Sequence, residues 1–268
     1  MTSSVFEALA ARLGKRQARV GVIGLGYVGL PLAMATAQAG FPVIGFDIDP
    51  DKIVKIAAGK SYVAAIPDAI LQAHFAAGRF SATSDFSDLA RCDVIVICVP
   101  TPLSRHREPD LSFVRRTSTE VANHLRPGQL VVLESTTYPG TTEEVVRPIL
   151  EAGGLRAGHD FFLGFSPERE DPGNSEFTTS TIPKVVGADG PEAKALLQAF
   201  YGAVVETVVP VSSAATAEAV KLTENIFRAV NIALVNELKV VYAAMGVDIW
   251  EVIDAARTKP FGFMPFYP

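Results

Sequence analysis

Short apolar runs alternate with longer, helix-compatible stretches through most of this chain. The runs predict strands at Ala18–Gly24, Pro42–Asp47, Asp93–Pro100, Leu130–Glu134, Phe161–Phe165, Lys184–Val186 and Val205–Val209. Between them lie helical patterns at Val28–Ala39, Pro50–Ala58, Asp68–Ala77, Leu111–Leu125, Thr141–Ala152 and Glu192–Tyr201. The run DVIVICVP at 93–100 has no polar alternation. A strand of that kind is buried on both faces, as in a parallel sheet covered by helices. The alternation therefore predicts an α/β fold with a doubly wound, mostly parallel sheet.

The pattern changes after Pro210. Ser212 or Ser213 can cap a helix, because a side-chain oxygen accepts an orphan backbone N–H. From Ala214 to Met245 there is neither Gly nor Pro, and Gly246 follows as a stop. One helix of that length runs roughly 48 Å, which suits a strut or a dimer surface better than a crossover. A shorter helix is predicted at Asp248–Arg257. The last residues read KPFGFMPFYP. This apolar tail has no element after it, and we expect it to pack against something outside the chain.

Composition narrows the classes. The 268 residues are 49% hydrophobic and 20% charged, a globular balance. Mean hydropathy is +0.26, consistent with strands buried on both faces. The net charge of -5 argues against nucleic acid as a partner, since phosphate binding needs a basic excess. No apolar run is long enough to span a bilayer, and residues 1–17 lack a targeting pattern, so we expect no membrane association and a cytoplasmic protein. Cys92 and Cys98 form neither a disulfide framework nor a zinc pattern, and both read as inert core thiols. His74, His124 and His159 have no partners at ligand spacing, so no metal is expected. The basic run Arg105-His106-Arg107 reads as a solvated loop.

Val20–Gly29 reads VGVIGLGYVG and contains Gly24-x-Gly26-x-x-Gly29 between a strand and a helix. Gly24 permits the tight turn, Gly26 lets the backbone approach a pyrophosphate, and Gly29 allows close helix–strand packing. Tyr27 and Val28 complete the loop. The phosphates sit at the helix N-terminus, where free N–H groups favour anions. The second strand ends in Asp47, whose carboxylate accepts ribose hydroxyls and repels a 2′-phosphate. The pattern predicts a Rossmann-like domain that takes NAD, with Lys52 leaving NADP open.

Polar residues also gather at the ends of three other strands. They are Val99–Pro102 (VPTP), Glu134–Pro139 (ESTTYP) and Phe165–Arg169 (FSPER). Ligands of such sheets bind at this carboxyl edge. Lys221, Asn225 and Arg228 form a polar line on the otherwise apolar long helix. Together with GLGYVGLPLA, ICVPTPL, ESTTYPGTT, FSPEREDPGN, AEAVKLTENIFRAVNIALVNELK and TKPFGFMPFYP, the chain resembles the UDP-glucose/GDP-mannose dehydrogenase family over nearly its whole length. Within that family it is most similar to the bacterial UDP-N-acetyl-hexosamine 6-dehydrogenases of surface-polysaccharide pathways.

The resemblance implies two NAD-dependent oxidations that convert a C6 alcohol to a carboxylate. It implies that Asp47 and Lys52 hold the adenosine ribose, and that Thr101 and Thr136 line the cofactor. Glu168 would handle a water proton during hydrolysis of a thioester, with Lys221 and Asn225 stabilising an oxyanion. Arg169 and Arg228 would contact the UDP-sugar; whether Glu170 or Asp171 adds a second acid stays open. The implied layout is an NAD-binding domain over 1–211, then over 212–268 the long helix and the start of a central region that forms a homodimer through residues 214–245. The family's nucleophile lies in a Gly-Gly-x-Cys segment shortly beyond Phe266-Tyr267-Pro268, and its nucleotide-sugar domain lies further on. We therefore expect the N-terminal part of such an enzyme, lacking the full four-electron oxidation by itself. Two alternatives stand beside this reading: a non-catalytic NAD-binding or dimerisation module, and a β-hydroxyacid dehydrogenase. The latter usually carries glycines ahead of its lysine, where this chain has SSAATAEAVK.

Overall fold

A computed structural model describes residues 4–169 and 179–268, in two compact units, Met1–Ala219 and Val220–Pro268. Glu170 and Asp171 lie outside the described residues. In the first unit, six parallel strands are ordered β3-β2-β1-β4-β5-β6. They are β1 (Val20–Ile23), β2 (Val43–Phe46), β3 (Phe80–Thr83), β4 (Val94–Ile97), β5 (Leu130–Leu133) and β6 (Phe162–Phe165). The order reverses between β1 and β4, which opens a crevice at their carboxyl ends. Every residue of β1, β2, β4, β5 and β6 is buried. The sheet is thus covered on both faces, as the unbroken apolar runs require.

The covering helices are α1 (Ser4–Gly14), α2 (Gly29–Gln38), α3 (Pro50–Ala57), α4 (Asp68–Ala76), α5 (Ser112–His124), α6 (Arg147–Glu151) and α7 (Pro191–Val204). Asp49 caps α3, its side chain accepting from Asp51 N at 3.0 Å, with Pro50 in the first turn where its missing N–H costs nothing. The predicted helix at Thr141–Ala152 is present, but its first part, Thr142–Val146, is a π-helical segment that runs into α6. Such wide turns occur most often at functional sites.

Besides the 3-10 turn Phe86–Arg91, two elements escape the hydrophobic pattern. The first, α1, buries Leu9 and Leu13, and Phe6 packs edge-on against Phe162. The second, β3, reads FSAT and sits at the sheet edge, where Phe80 alone is buried. An edge strand needs no apolar alternation, so its signal is weak. Of the last two predicted strands, β7 (Lys184–Val186) forms as predicted, while the run predicted at Val205–Val209 shifts to β8 (Val208–Pro210) because α7 continues to Val204; the two form their own parallel pair. An antiparallel bridge between Phe165 and Gly187 joins β7 to the edge at β6, which makes the whole mostly parallel.

The long helix forms as expected: α8 runs Ala214–Ala244 without interruption, its first residues belonging to the first unit. In the second unit, α9 (Ile249–Ala256) packs Ile249 and Ile253 on Val235, with Leu238, Tyr242 and Phe266 around them. The tail packs in part within its own unit. Phe266 packs edge-on against Phe227, and Tyr267 stacks on Trp250 while its hydroxyl donates to Asp254 at 2.9 Å. Phe266 is half-buried this way, while Phe261, Phe263, Met264 and Tyr267 remain exposed. Along α8, Ile226, Val230 and Leu234 are exposed. Among the described residues no helix is long and apolar enough to cross a membrane.

Candidate functional site

The crevice between β1 and β4 begins at the glycine turn. Gly24 adopts φ +90°, and a Cβ there would lie 2.5 Å from the Cys98 carbonyl oxygen. A Cβ on Gly29 would lie 1.9 Å from the Gly24 oxygen. Only glycines let β1, α2 and β4 meet this closely. Around Gly26 the position is open, with nothing within 4 Å of a Cβ. Val28 stands at the N-cap of α2 and no side chain caps it. Leu30 N donates to Gly26 O at 3.1 Å and Pro31 has no N–H, so what this end offers an anion is the positive pole of the helix dipole. Tyr27, beside it, is 69% exposed.

Asp47 follows β2 and is buried. Its Oδ2 accepts from Leu25 N and from Lys52 Nζ, both at 2.8 Å, and its Oδ1 accepts from Asp49 N at 3.0 Å. A carboxylate has about four acceptor sites, so one remains for a ligand hydroxyl. Lys52 is committed to Asp47 rather than standing free. Tyr62, which the sequence pattern does not single out, donates to Leu25 O at 2.7 Å. Burial, then Asp47 and Asp49, push its phenol well up, so it stays a neutral donor. The loop that carries the fingerprint is thus held from both sides, by Asp47 on an amide and by Tyr62 on a carbonyl.

The loops after β4 and β5 are tied together. Thr101 Oγ1 donates to Thr136 O at 2.6 Å, and Ser135 Oγ bridges Val99, donating to its carbonyl at 2.7 Å and accepting from its N–H at 3.1 Å. Ser166, after β6, donates to Val185 O at 2.8 Å, and Arg169 Nη1 donates to Pro183 O at 2.6 Å. The segment carrying Glu168 therefore runs along β7, anchored on each side of that residue.

Beneath these loops lies a buried charged group that motif reading misses. Lys184 Nζ donates to Glu134 Oε2 at 3.0 Å, and the Tyr201 hydroxyl donates to Glu134 Oε1. Burial raises the proton affinity of Glu134 against the pull of Lys184 and Tyr201. Burial alone would lower that of Lys184, but Glu134 and Glu168 outweigh it and hold the ammonium above its ordinary range. Glu168 also acts on Cys98, whose thiol burial pushes well up. Burial pushes Cys92 up to about 12. Neither thiol offers a thiolate near neutral pH. A charged residue opening a strand, as Lys184 does, was the available signal.

In the second unit, Asn225 Oδ1 accepts from Arg228 Nη2 at 2.7 Å, so two members of the predicted polar line touch. Lys221 lies one turn before Asn225 on the same helix.

Comparison with known proteins agrees with this geometry. Residues 18–205 match the NAD binding domain of the UDP-glucose/GDP-mannose dehydrogenase family, and residues 215–268 match its central domain. A UDP-N-acetyl-D-glucosamine 6-dehydrogenase of Pseudomonas aeruginosa is 41% identical over 93% of this chain and 58% of its own length. The structure of a UDP-D-ManNAc dehydrogenase from Pyrococcus horikoshii superposes with a TM-score of 0.86 at 38% identity, over 91% of this chain and 58% of that one. A ternary complex of GDP-mannose dehydrogenase from Pseudomonas aeruginosa gives 0.82 at 32% identity, over 90% and 57%. The chain thus spans somewhat over half the length of the relatives it matches.

Proposed function

This chain belongs to the UDP-glucose/GDP-mannose dehydrogenase family, and we propose that it is the cofactor-binding and helical part of an NAD-dependent 6-dehydrogenase. Its substrate would be a UDP-N-acetyl-hexosamine and its product the uronic acid for surface polysaccharide, made in the cytoplasm by a homodimer joined through residues 214–245. The observation that carries the reading is the ordered match to two consecutive family domains, with a UDP-N-acetyl-sugar dehydrogenase at 41% identity over 93% of the chain.

NAD fits the residues present. The open space over Gly26 and the uncapped start of α2 suit a pyrophosphate, and Asp47 has an acceptor site for a ribose hydroxyl. Bound NAD supplies the hydride acceptor. The chain's own groups do the rest. Thr101 and Thr136 shape the wall beyond the pyrophosphate. Lys221 and Asn225 offer an ammonium and an amide to the oxygen that becomes negative as hydride leaves C6. Glu168 takes and returns the proton of an attacking water. Arg169 and Arg228 offer guanidinium groups to the phosphates of the sugar nucleotide.

Asp47→Asn is expected to destabilise the chain by about 1–3 kcal/mol, since three donors would lose a carboxylate partner. It should also narrow the preference for NAD over NADP roughly tenfold. Chemical melts and the ratio of the two dissociation constants check both parts. The activity itself is tested by following NADH with UDP-N-acetylglucosamine and the protein as its native source makes it. Two NADH per sugar is the expected result. NAD binding without turnover of any UDP-hexosamine would replace the proposal with a non-catalytic binding module, and turnover of a small hydroxyacid with a β-hydroxyacid dehydrogenase.

A further inference from the structure

Three carboxylates meet where α8 begins, and their hydrogen bonds form a reciprocal arrangement. Glu218, on α8 and fully buried, accepts from Gly140 N at 2.6 Å, from Thr142 N at 2.9 Å and from Thr142 Oγ1 at 2.7 Å. It therefore caps the helix that follows β5. Asp189, ahead of α7, accepts from Ala214 N at 3.4 Å, at the start of α8. Glu143 sits between them, in the π-helical segment. Its Oε2 lies 2.8 Å from Arg147 Nε. Its Oε1 is buried and receives no donor among the described residues; the Asp189 carboxyl lies within hydrogen-bonding reach of the Glu143 carboxyl, and Glu218 also acts on it.

Two carboxylate oxygens facing each other cannot both be satisfied as anions. One proton between them satisfies both. We propose that Glu143 and Glu218 form a proton-dependent latch that seats the first turn of α8 on the helix following β5. When Glu143 carries the proton it donates to Asp189, and Glu218 is left as the sole anion over the amides of Gly140 and Thr142. When Glu143 ionises, it repels both neighbours and the seat loosens. Arg147 from α6, Asp189 from the loop before α7 and Glu218 from α8 are the charged groups acting on it. Among the described residues, α5 and β6 also pack on this segment; α5 buries Val114, Ser118 and Val121, and β6 is FLGF.

The sign follows from burial, then Asp189, holding Glu143 up at about 7. Between its ordinary carboxylate range and about 7, the folded chain binds more protons than the unfolded one. Stability from this group is present at low pH and is lost as pH rises through that window. Thermal melts of this chain at pH 5 and 8.5, beside Glu143→Gln and Asp189→Asn, test the latch without any assay of activity. The wild type is expected to lose roughly 3 °C or more in Tm relative to Glu143→Gln at the higher pH. Asp189→Asn should move the loss toward lower pH. Hydrogen exchange adds a local readout, with the amides of Gly140 and Thr142 less protected at pH 8.5 in the wild type than in Glu143→Gln. Parallel melting curves for wild type and Glu143→Gln, or equal protection of those two amides, would overturn it.

Discussion

Gly29→Ala is expected to abolish cofactor binding and to destabilise the first unit by roughly 3 kcal/mol. The reason is geometric. The added methyl would sit 1.9 Å from the Gly24 oxygen and 3.2 Å from the Cys98 Cβ. The closest of these atoms is backbone, so no rotamer change relieves the contact. Relief requires moving α2 away from β1 and β4, which widens the crevice at the point where a pyrophosphate would lie. Gly26→Ala provides the contrast. Nothing stands within 4 Å of that methyl, so Tm should stay within about a degree. NAD affinity should still fall about 100-fold, because the methyl takes the space the phosphates need. Calorimetric titration and thermal melts of both variants separate the two effects. Equal Tm losses in the two variants would contradict this account of the turn.

Lys184→Met should be nearly as damaging by another route. Among the described residues, it leaves Glu134 buried with only the Tyr201 hydroxyl as partner. Removing one member of a buried ion pair costs about 3–5 kcal/mol, because the survivor is an uncompensated charge. At this size that is a Tm loss of roughly 10 °C. Glu134→Gln combined with Lys184→Met removes both charges and keeps an oxygen for Tyr201. The double variant is expected to recover most of the loss. A double variant as unstable as Lys184→Met would show that packing, not charge pairing, accounts for the damage.

The elements that set the fold were legible because their signals are local. Unbroken apolar runs marked the buried strands, and three glycines at fixed spacing marked the turn after β1. The parallel, doubly wound sheet follows from that alternation, and the glycine turn places β1 beside the reversal; the order of all six strands, with β3 at the edge, was not legible. What stayed hidden depends on partners far apart in sequence. Tyr201 and Lys184 reach Glu134 from 67 and 50 residues away. Glu218 reaches Gly140 across 78 residues, and although both ends lie in stretches that carry the resemblance, nothing local pairs them. Nor does apolar content foretell that Phe266 and Tyr267 find rings within their own unit. A strand as short and polar as β3 carries no pattern to read.

The most direct test of the central claim is a calorimetric titration of NAD into this chain, with NADP and Gly26→Ala alongside. The account predicts one NAD per chain, weaker binding of NADP because Asp47 would face the ribose, and loss of NAD binding in a Gly26→Ala variant that melts like the wild type. A folded chain that binds no NAD, or that binds it equally well with a methyl on Gly26, would contradict it.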